Sequence, residues 1–245
     1  MKDDNKPEVD QAESAGVADF PDHEELTVTS IEMLRKPRHR YRIVFGMYSM
    51  TVHEDVMLKY RMLKGNVFRK EELLEIVIAD ERQRAYVDSL YHLSRKPRTS
   101  QEIRQRLQQK GYEQGCIETT IERLQQERLI DDALYAKMWA EQRITNHKKG
   151  RLWVKQELRQ KGIDSANIAE ALGEVSADAE LQSAMAIGRK KWQQTSGDVQ
   201  DRRRKTGAFL MRRGFSGEQV RQTLKTLMEE DEAHDDEDDE LYPFE

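Results

Sequence analysis

Apolar and polar residues follow two different rhythms along this chain. Between Leu26 and about Val52 they alternate in short runs rich in β-branched and aromatic residues, as in Leu26-Thr27-Val28-Thr29-Ser30-Ile31 and Tyr41-Arg42-Ile43-Val44-Phe45. The second run continues across Gly46 into Met47-Tyr48-Ser49-Met50-Thr51-Val52. The pattern predicts an antiparallel meander of about three strands, too thin to stand unless a helix covers it. The stretch from His53 to Tyr60 offers a short helix, and Lys64-Gly65 is expected to end this subdomain.

Beyond residue 70 the apolar spacing becomes helical, and it repeats. Gly111, Gly162 and Gly214 stand 51 and 52 residues apart, and aligning them superposes Leu107-Gln108-Gln109-Lys110-Gly111-Tyr112 on Leu158-Arg159-Gln160-Lys161-Gly162-Ile163 and Leu210-Met211-Arg212-Arg213-Gly214-Phe215. A glycine in the left-handed conformation closes a helix, and the apolar residue after it packs back on the one four positions before it. The expected pairs are Leu107 with Tyr112, Leu158 with Ile163, and Leu210 with Phe215.

A new helix follows each stop. Apolar residues lie at the same offsets from each glycine: Ile117, Ile121 and Leu124; Ile168, Leu172 and Val175; Val220, Leu224 and Leu227. Spacings of four and three put each trio on one face. Asp164 and Ser216 are N-cap candidates, Gln219 completes a capping box with Ser216, and Glu113 is the poorer counterpart. An earlier helix belongs to each unit: one capped by Asp80 and running to about Lys96, one capped by Asp131, and one through Leu181, Met185, Ile187 and Trp192. Pro97 ends the first of these, and Thr99 with Glu102 forms another capping box.

The expected fold is therefore mainly α: an elongated tandem array of three three-helix repeats, preceded by a small antiparallel β-rich subdomain. The boundaries read 26–79 for the β-rich subdomain, 80–130, 131–176 and 177–228 for the repeats, with acidic disordered ends at 1–25 and 229–245. The ends are assigned by composition, since acidic stretches poor in bulky apolar residues bury too little to offset the entropy of ordering.

Composition agrees with a thin helical array. Only 37% of the 245 residues are hydrophobic against 36% charged, and the mean hydropathy is −0.90. No apolar run has the length of a membrane span and no secretory signal opens the chain, so a soluble, cytoplasmic protein is expected. The single cysteine, Cys116, reads as core filler.

The net charge of −5 conceals a strong asymmetry. Residues 1–25 carry two Lys/Arg against nine Asp/Glu, and residues 229–245 carry eleven Asp/Glu and no Lys/Arg, which leaves +13 on residues 26–228. The cations concentrate in the middle helix of each repeat: Arg98, Arg104, Arg106 and Lys110; Lys148, Lys149, Arg151, Lys155, Arg159 and Lys161; Arg202, Arg203, Arg204, Lys205, Arg212 and Arg213. The third helices lean acidic, so the repeat is expected to present one basic stripe suited to phosphates or an acidic protein groove. Lys110, Lys161 and Arg213 also answer the helix macrodipole, which does not account for Lys148, Lys149 or residues 202–205 at or before helix starts. Tyr112, Phe215, Trp139, Trp153 and Trp192 fall on apolar faces or helix stops and are expected to pack in cores rather than stack on bases. The acidic tail is a solubilising run or a segment that folds back on the basic body and competes with polyanions.

Catalytic machinery is missing from the sequence. It holds no phosphate loop, dinucleotide fingerprint, nucleophile elbow or His-Glu-x-x-His, and the histidines at 23, 39, 53, 92, 147 and 234 lack metal spacing. No enzymatic activity, cofactor or metal is expected. Asp131-Asp132 stands where a cap and a first-turn anion are wanted, and Lys205-Thr206-Gly207 has no Ser-x-x-Lys companion.

Several of these segments, taken in order, resemble one family. Leu93-Ser94-Arg95-Lys96-Pro97-Arg98-Thr99-Ser100, Leu107-x-x-Lys110-Gly111-Tyr112 and Leu129-Ile130-Asp131-Asp132-x-x-Tyr135-Ala136 resemble the first repeat of the RecX regulatory proteins. Arg143, Gly150 and residues 157–163 resemble the second repeat, and Phe209-Leu210-x-x-Arg213-Gly214-Phe215 the third. Val52-His53-Glu54-Asp55 and Lys64-Gly65 resemble the N-terminal extension of longer members. The likeness covers about residues 26–228 and leaves out both acidic ends.

The resemblance implies a non-enzymatic modulator that binds the RecA recombinase along its DNA filament and inhibits RecA's ATP hydrolysis, strand exchange and co-protease activity, in the setting of homologous recombination, DNA repair and the SOS response. It transfers no contact residues. The sixteen cations above are the candidate residues for the partner or for single- or double-stranded DNA, and a monomer is expected. Two other readings remain open on the residues alone. One is a helix-turn-helix-like DNA-binding regulator, usually a dimer with sequence-selective duplex binding; the other is a helical-repeat scaffold with no nucleic-acid role.

Overall fold

The computed structural model describes residues 17–240, the last seven of them by backbone alone. The chain divides into two compact units, one comprising the N-terminal region through Lys96 together with Arg104–Glu127, the other comprising Pro97–Ile103 and the chain from Arg128 onward.

The first unit contains β1 (Leu26–Thr27), β2 (Ser30–Met33), β3 (Arg40–Phe45), β4 (Tyr48–His53), α1 (Glu54–Lys59), β5 (Val67–Phe68) and α2 (Lys70–Leu93), then the C-terminal part of α3 (Ser100–Gln109) and α4 (Gln114–Gln126). The meander is β2-β3-β4, antiparallel, with Ile31 opposite Ile43 and Ile43 opposite Met50. Beyond Gly65 the chain adds β5, which pairs antiparallel with β1 as a separate two-stranded sheet. Ile43, Phe45, Val52, Met62, Leu73 and Ile76 form the buried centre, so α1 and α2 supply the cover a thin sheet needs.

Two expectations are corrected here. The helix expected to start at Asp80 starts at Lys70, so the boundary placed between 79 and 80 falls inside α2. Asp80 is a buried interior residue whose carboxylate accepts both bonds of the Arg40 Nη1 group, at 2.8 and 2.7 Å, and the His53 amide at 2.6 Å. A residue type that suits a cap is here the counter-ion of a buried strand arginine. The second correction concerns the N-terminal acidic stretch. Val17 and Phe20 are buried in the core, with the Phe20 ring 5.8 Å from Phe45 and 5.0 Å from Tyr48, so disorder through residue 25 does not hold for residues 17–25. Two apolar side chains suffice to anchor a short segment across an open sheet face. Residues 1–16 lie outside the described part.

The second unit is helical: α5 (Asp132–Glu141), a π-helical turn (Gln142–Asn146), α6 (Arg151–Gln160), α7 (Ser165–Glu174), α8 (Ala177–Gln193), α9 (Val199–Arg212) and α10 (Gly217–Glu240). Its two apolar centres are built from Ile144, Val154, Leu158, Ile163 and Ile168, and from Trp192, Leu210, Phe215, Val220 and Leu227. The caps expected at Asp131, Asp164 and Ser216 are formed, as is the Thr99–Glu102 box.

The three glycine stops form as the spacing predicts. Gly111, Gly162 and Gly214 have φ of 85°, 77° and 88°, and Tyr112, Ile163 and Phe215 donate their amides to the carbonyls of Leu107, Leu158 and Leu210 at 3.3, 3.1 and 3.3 Å. Cys116 is buried on α4, and burial raises its thiol pKa. The disordered tail assigned to 229–245 is overturned for residues 229–240, since α10 runs on to Glu240; residues 241–245 lie outside the described part. The fold is mostly helical, with three tandem three-helix segments behind a small antiparallel strand subdomain.

Candidate functional site

Seven of the sixteen candidate cations are held in ion pairs, which separates them from the rest. Arg104 pairs with Glu118 at 2.9 Å, Lys110 with Asp88 at 2.6 Å, Arg151 with Glu180 at 2.8 Å and Lys161 with Glu102 at 3.0 Å. Arg202 meets Asp231 at 2.7 Å, and Arg204 and Lys205 share Asp201 at 3.1 and 3.5 Å. Arg106 donates to the His92 ring at 3.1 Å. Arg98 is half-buried beside the Glu102 carboxylate, whose ionisation its charge favours. Lys148, Lys149, Lys155, Arg159, Arg203, Arg212 and Arg213 have no carboxylate within ion-pair distance among the described residues.

Two of these seven, Lys149 and Arg213, meet at one place in the second unit, with Lys148 and Arg212 next to them in the chain. Gly150 donates its amide to the Arg213 carbonyl at 3.0 Å and Leu152 donates to the Gly214 carbonyl at 3.1 Å, so the start of α6 sits on the end of α9. The contact is backbone on backbone, because a Cβ on Gly150 would fall inside the Gly214 carbonyl. It brings Lys148-Lys149 beside Arg212-Arg213. Lys149 Nζ lies 3.7 Å from the centre of the Trp153 ring, and Arg213 lies over Phe209 at 5.2 Å. Burial and then the charges of Arg213 and Arg143 lower the Lys149 pKa, against the pull of Glu157. Cations crowded until they oppose one another's ionisation leave a local field that an anion relieves.

From this junction the exposed side of α6 continues through Leu152, Lys155 and Arg159, at spacings of three and four. Trp153 departs from the core placement expected for it. Its side of α6 is open, it is 40% exposed, and its indole N–H is fixed to Glu157 Oε1 at 2.8 Å. Trp139 donates to the other Glu157 oxygen at 3.0 Å, with Arg143 also 3.0 Å from that oxygen. Trp192 and Phe215 are buried as expected, while Tyr112 and Trp139 are half-buried. Sequence spacing carried no sign that residues 149 and 213 meet, because no period of the repeat relates them.

A similar junction lies at the start of α3. Thr99 Oγ1 donates to the Lys161 carbonyl at 2.8 Å, and a Cβ on Gly162 would collide with the Gln101 side chain. The amide of Ser100 is received by Asp132 and that of Arg151 by Glu180, each at 2.8 Å. A carboxylate from a first helix thus covers the start of a middle helix at both junctions. Here the surrounding cations are neutralised: Lys161 pairs with Glu102 and sits 4.5 Å from the Trp139 ring.

Tandem three-helix segments, with a cation-rich junction between the middle helices of the second and third, define a helical-repeat protein. The chain belongs to the RecX family. Models of that family's first, second and third three-helix domains match residues 85–124, 131–172 and 178–224. The chain is 30% identical over 200 residues to the regulatory protein RecX of Geobacillus thermodenitrificans, covering 79% of this chain and 74% of that one. It is 28% identical over 213 residues to the regulatory protein RecX of Clostridium acetobutylicum, covering 84% and 99%. A crystal structure of a regulatory protein RecX superposes with a TM-score of 0.70 at 27% identity, over 82% of this chain and 99% of the other. The crystal structure of RecX from Lactobacillus salivarius shares the fold with a TM-score of 0.58 at 24% identity, over 61% and 97%. No helix among the described residues is long and apolar enough to cross a membrane.

Proposed function

We propose that this protein is a cytoplasmic, non-enzymatic regulator that binds the RecA recombinase and its DNA filament as a monomer and inhibits RecA's ATP hydrolysis, strand exchange and co-protease activity. Membership of a family of regulatory proteins supports the regulatory role. The observation that carries the nucleic-acid half is the junction of Lys149 and Arg213, flanked by Lys148 and Arg212, where no carboxylate lies within ion-pair distance of these four among the described residues. Phosphodiester oxygens are the complementary ligand: a polyanion releases counter-ions on meeting such a cluster, and an exposed tryptophan edge beside it adds apolar area. Of the other candidate cations, Lys155, Arg159 and Arg203 extend the contact, and Arg104 and Arg151, held in ion pairs, act mainly in the fold.

The test is the ATP hydrolysis rate of the cognate RecA on single-stranded DNA as the protein is titrated in, with Lys149→Glu/Arg213→Glu as the comparison. Inhibition by the parent protein that the variant loses is the expected result. Saturation well below one copy per RecA indicates end-capping, and saturation near parity indicates groove coating. Undiminished inhibition by the variant removes the cluster from the mechanism, and no inhibition by either removes RecA as the partner.

A further inference from the structure

In the second repeat, Trp139 and Arg143 hold the carboxylate of Glu157, which stands five residues before the Gly162 stop. The third repeat carries a tryptophan near the end of its first helix, Trp192 on α8, and the residue five before Gly214 is Phe209. The carboxylate on this indole comes from the acidic extension of α10. Asp231 Oδ1 accepts from Trp192 Nε1 at 3.2 Å and from Arg202 Nη2 at 3.0 Å, and Arg202 Nη1 donates to Oδ2 at 2.7 Å. The Arg202 guanidinium lies 4.7 Å from the centre of the Trp192 ring, which is itself buried. One residue earlier, Glu230 takes both donors of Arg189, Nε at 3.1 Å and Nη2 at 2.5 Å.

We propose that Trp192, Arg202 and Arg189 form an anion-binding site on the third repeat, that its resident occupant is the chain's own acidic segment, and that a single-stranded nucleic-acid backbone competes for it. The receptor is built: a buried indole N–H and a stacked, bidentate guanidinium aim at one oxygen pair, a geometry that suits phosphate as well as carboxylate. Its surroundings suit a ligand with many charges. Lys190 and Lys191 follow Arg189 on α8, and Arg203, exposed and without an ion pair among the described residues, follows Arg202 on α9. The present occupant is itself a polyanion by sequence, with ten Asp/Glu among residues 229–240. Docked through Glu230 and Asp231, the segment sets a threshold: a nucleic acid must displace it to reach these cations, so affinity is held down and depends steeply on salt.

The inference rests on the reading that DNA is a partner, and its test leaves RecA out. A fluorescein-labelled oligothymidylate is titrated with the full-length protein and with Glu230→Gln/Asp231→Asn, following anisotropy across a salt series. The amide oxygen at 231 still accepts from the indole and from one guanidinium nitrogen, while the amide NH2 cannot accept the second guanidinium bond, so the segment's hold is weakened as its charge is removed. About tenfold tighter binding at low salt, converging on the parent value at high salt, is expected. Glu230→Gln alone, at an exposed pair, shifts affinity in the same direction by less. Identical affinity and salt slope in parent and variants, or no binding by any of them at low salt, overturns the proposal. RecA ATPase assays on the same proteins separate the two readings. Inhibition with unchanged oligonucleotide affinity sinks this inference alone, and tightened affinity without any effect on RecA sinks the function proposed above alone.

Discussion

The amide of Gly150 donates to the Arg213 carbonyl at 3.0 Å, and its Cα faces the Gly214 carbonyl so closely that no side-chain atom fits between them. Gly150 has an ordinary φ of −78°, so its requirement is space and not conformation. Gly111 is the converse, with φ of 85° and nothing within 4 Å of an added Cβ. Gly150→Ala should destabilise by about 3 kcal/mol or more through the backbone clash, whereas Gly111→Ala should lose about 1–2 kcal/mol to left-handed strain alone. Urea unfolding of the two variants decides the matter; equal losses would show that the junction relaxes around an extra methyl group.

Arg40 and Asp80 are both almost fully enclosed and bind each other through paired hydrogen bonds. Removing one partner strands the other charge in the core, and Asp80→Ala is expected to cost about 3–5 kcal/mol. The double replacement Arg40→Met/Asp80→Leu should recover most of that loss. A denaturation midpoint for the double variant no higher than for Asp80→Ala would refute the pairing as the source of the cost.

Acid should loosen the junction at the start of α3. Burial opposes ionisation of Glu102, yet the Lys161 ammonium and the Thr99 amide outweigh it and hold the carboxyl below its ordinary range. A carboxylate depressed in the folded state stabilises fully above its unfolded pKa and loses that contribution as pH falls through the folded value. Lys161 behaves in the mirror sense: burial pulls its pKa down, bonds to Tyr135 and Glu102 raise it, and its contribution fades only as pH climbs through the raised value. Glu102→Gln should therefore be less stable than the parent by about 1–2 kcal/mol at neutral pH, with the difference closing in acid below the usual carboxylate range. Thermal melts across pH, with a gap that persists undiminished at low pH, would contradict this account.

Phe20 packs between Phe45 and Tyr48 although it lies in an acidic stretch. Its truncation to Ala should cost about 3–5 kcal/mol. A loss under about 0.5 kcal/mol, typical of a surface site, would mean that residues 17–25 add nothing to the core.

Neutralising the crowded cations should separate binding from stability. In Lys149→Gln/Arg213→Gln the like-charge opposition at the junction disappears, so the melting temperature should hold or rise. The slope of oligonucleotide affinity against salt should fall by about 2. An unchanged slope would place the phosphates elsewhere.

Everything that repeats was legible in the sequence. The glycine stops, the Leu107–Tyr112, Leu158–Ile163 and Leu210–Phe215 closures, and the caps at Thr99, Asp131, Asp164 and Ser216 are made within a few residues of chain, so local physical chemistry determines them. The basic character of the middle helices was equally plain, and so was the family it resembles.

Which cations are free was a matter for the tertiary structure. Arg202 and Arg203 are neighbours in sequence, yet one is held by Asp231 and the other has no ion pair among the described residues, because only folding brings α10 back across α8 and α9. For the same reason Asp80 reads as a helix cap and serves as the counter-ion of Arg40, Phe20 reads as part of a disordered tail and fills a core, and Trp153 reads as core and lies half open beside Lys149. A side chain's local preference is set by its own residue and a turn of neighbours; its charge state, partner and exposure are set by residues tens of positions away, which no periodicity along the chain records.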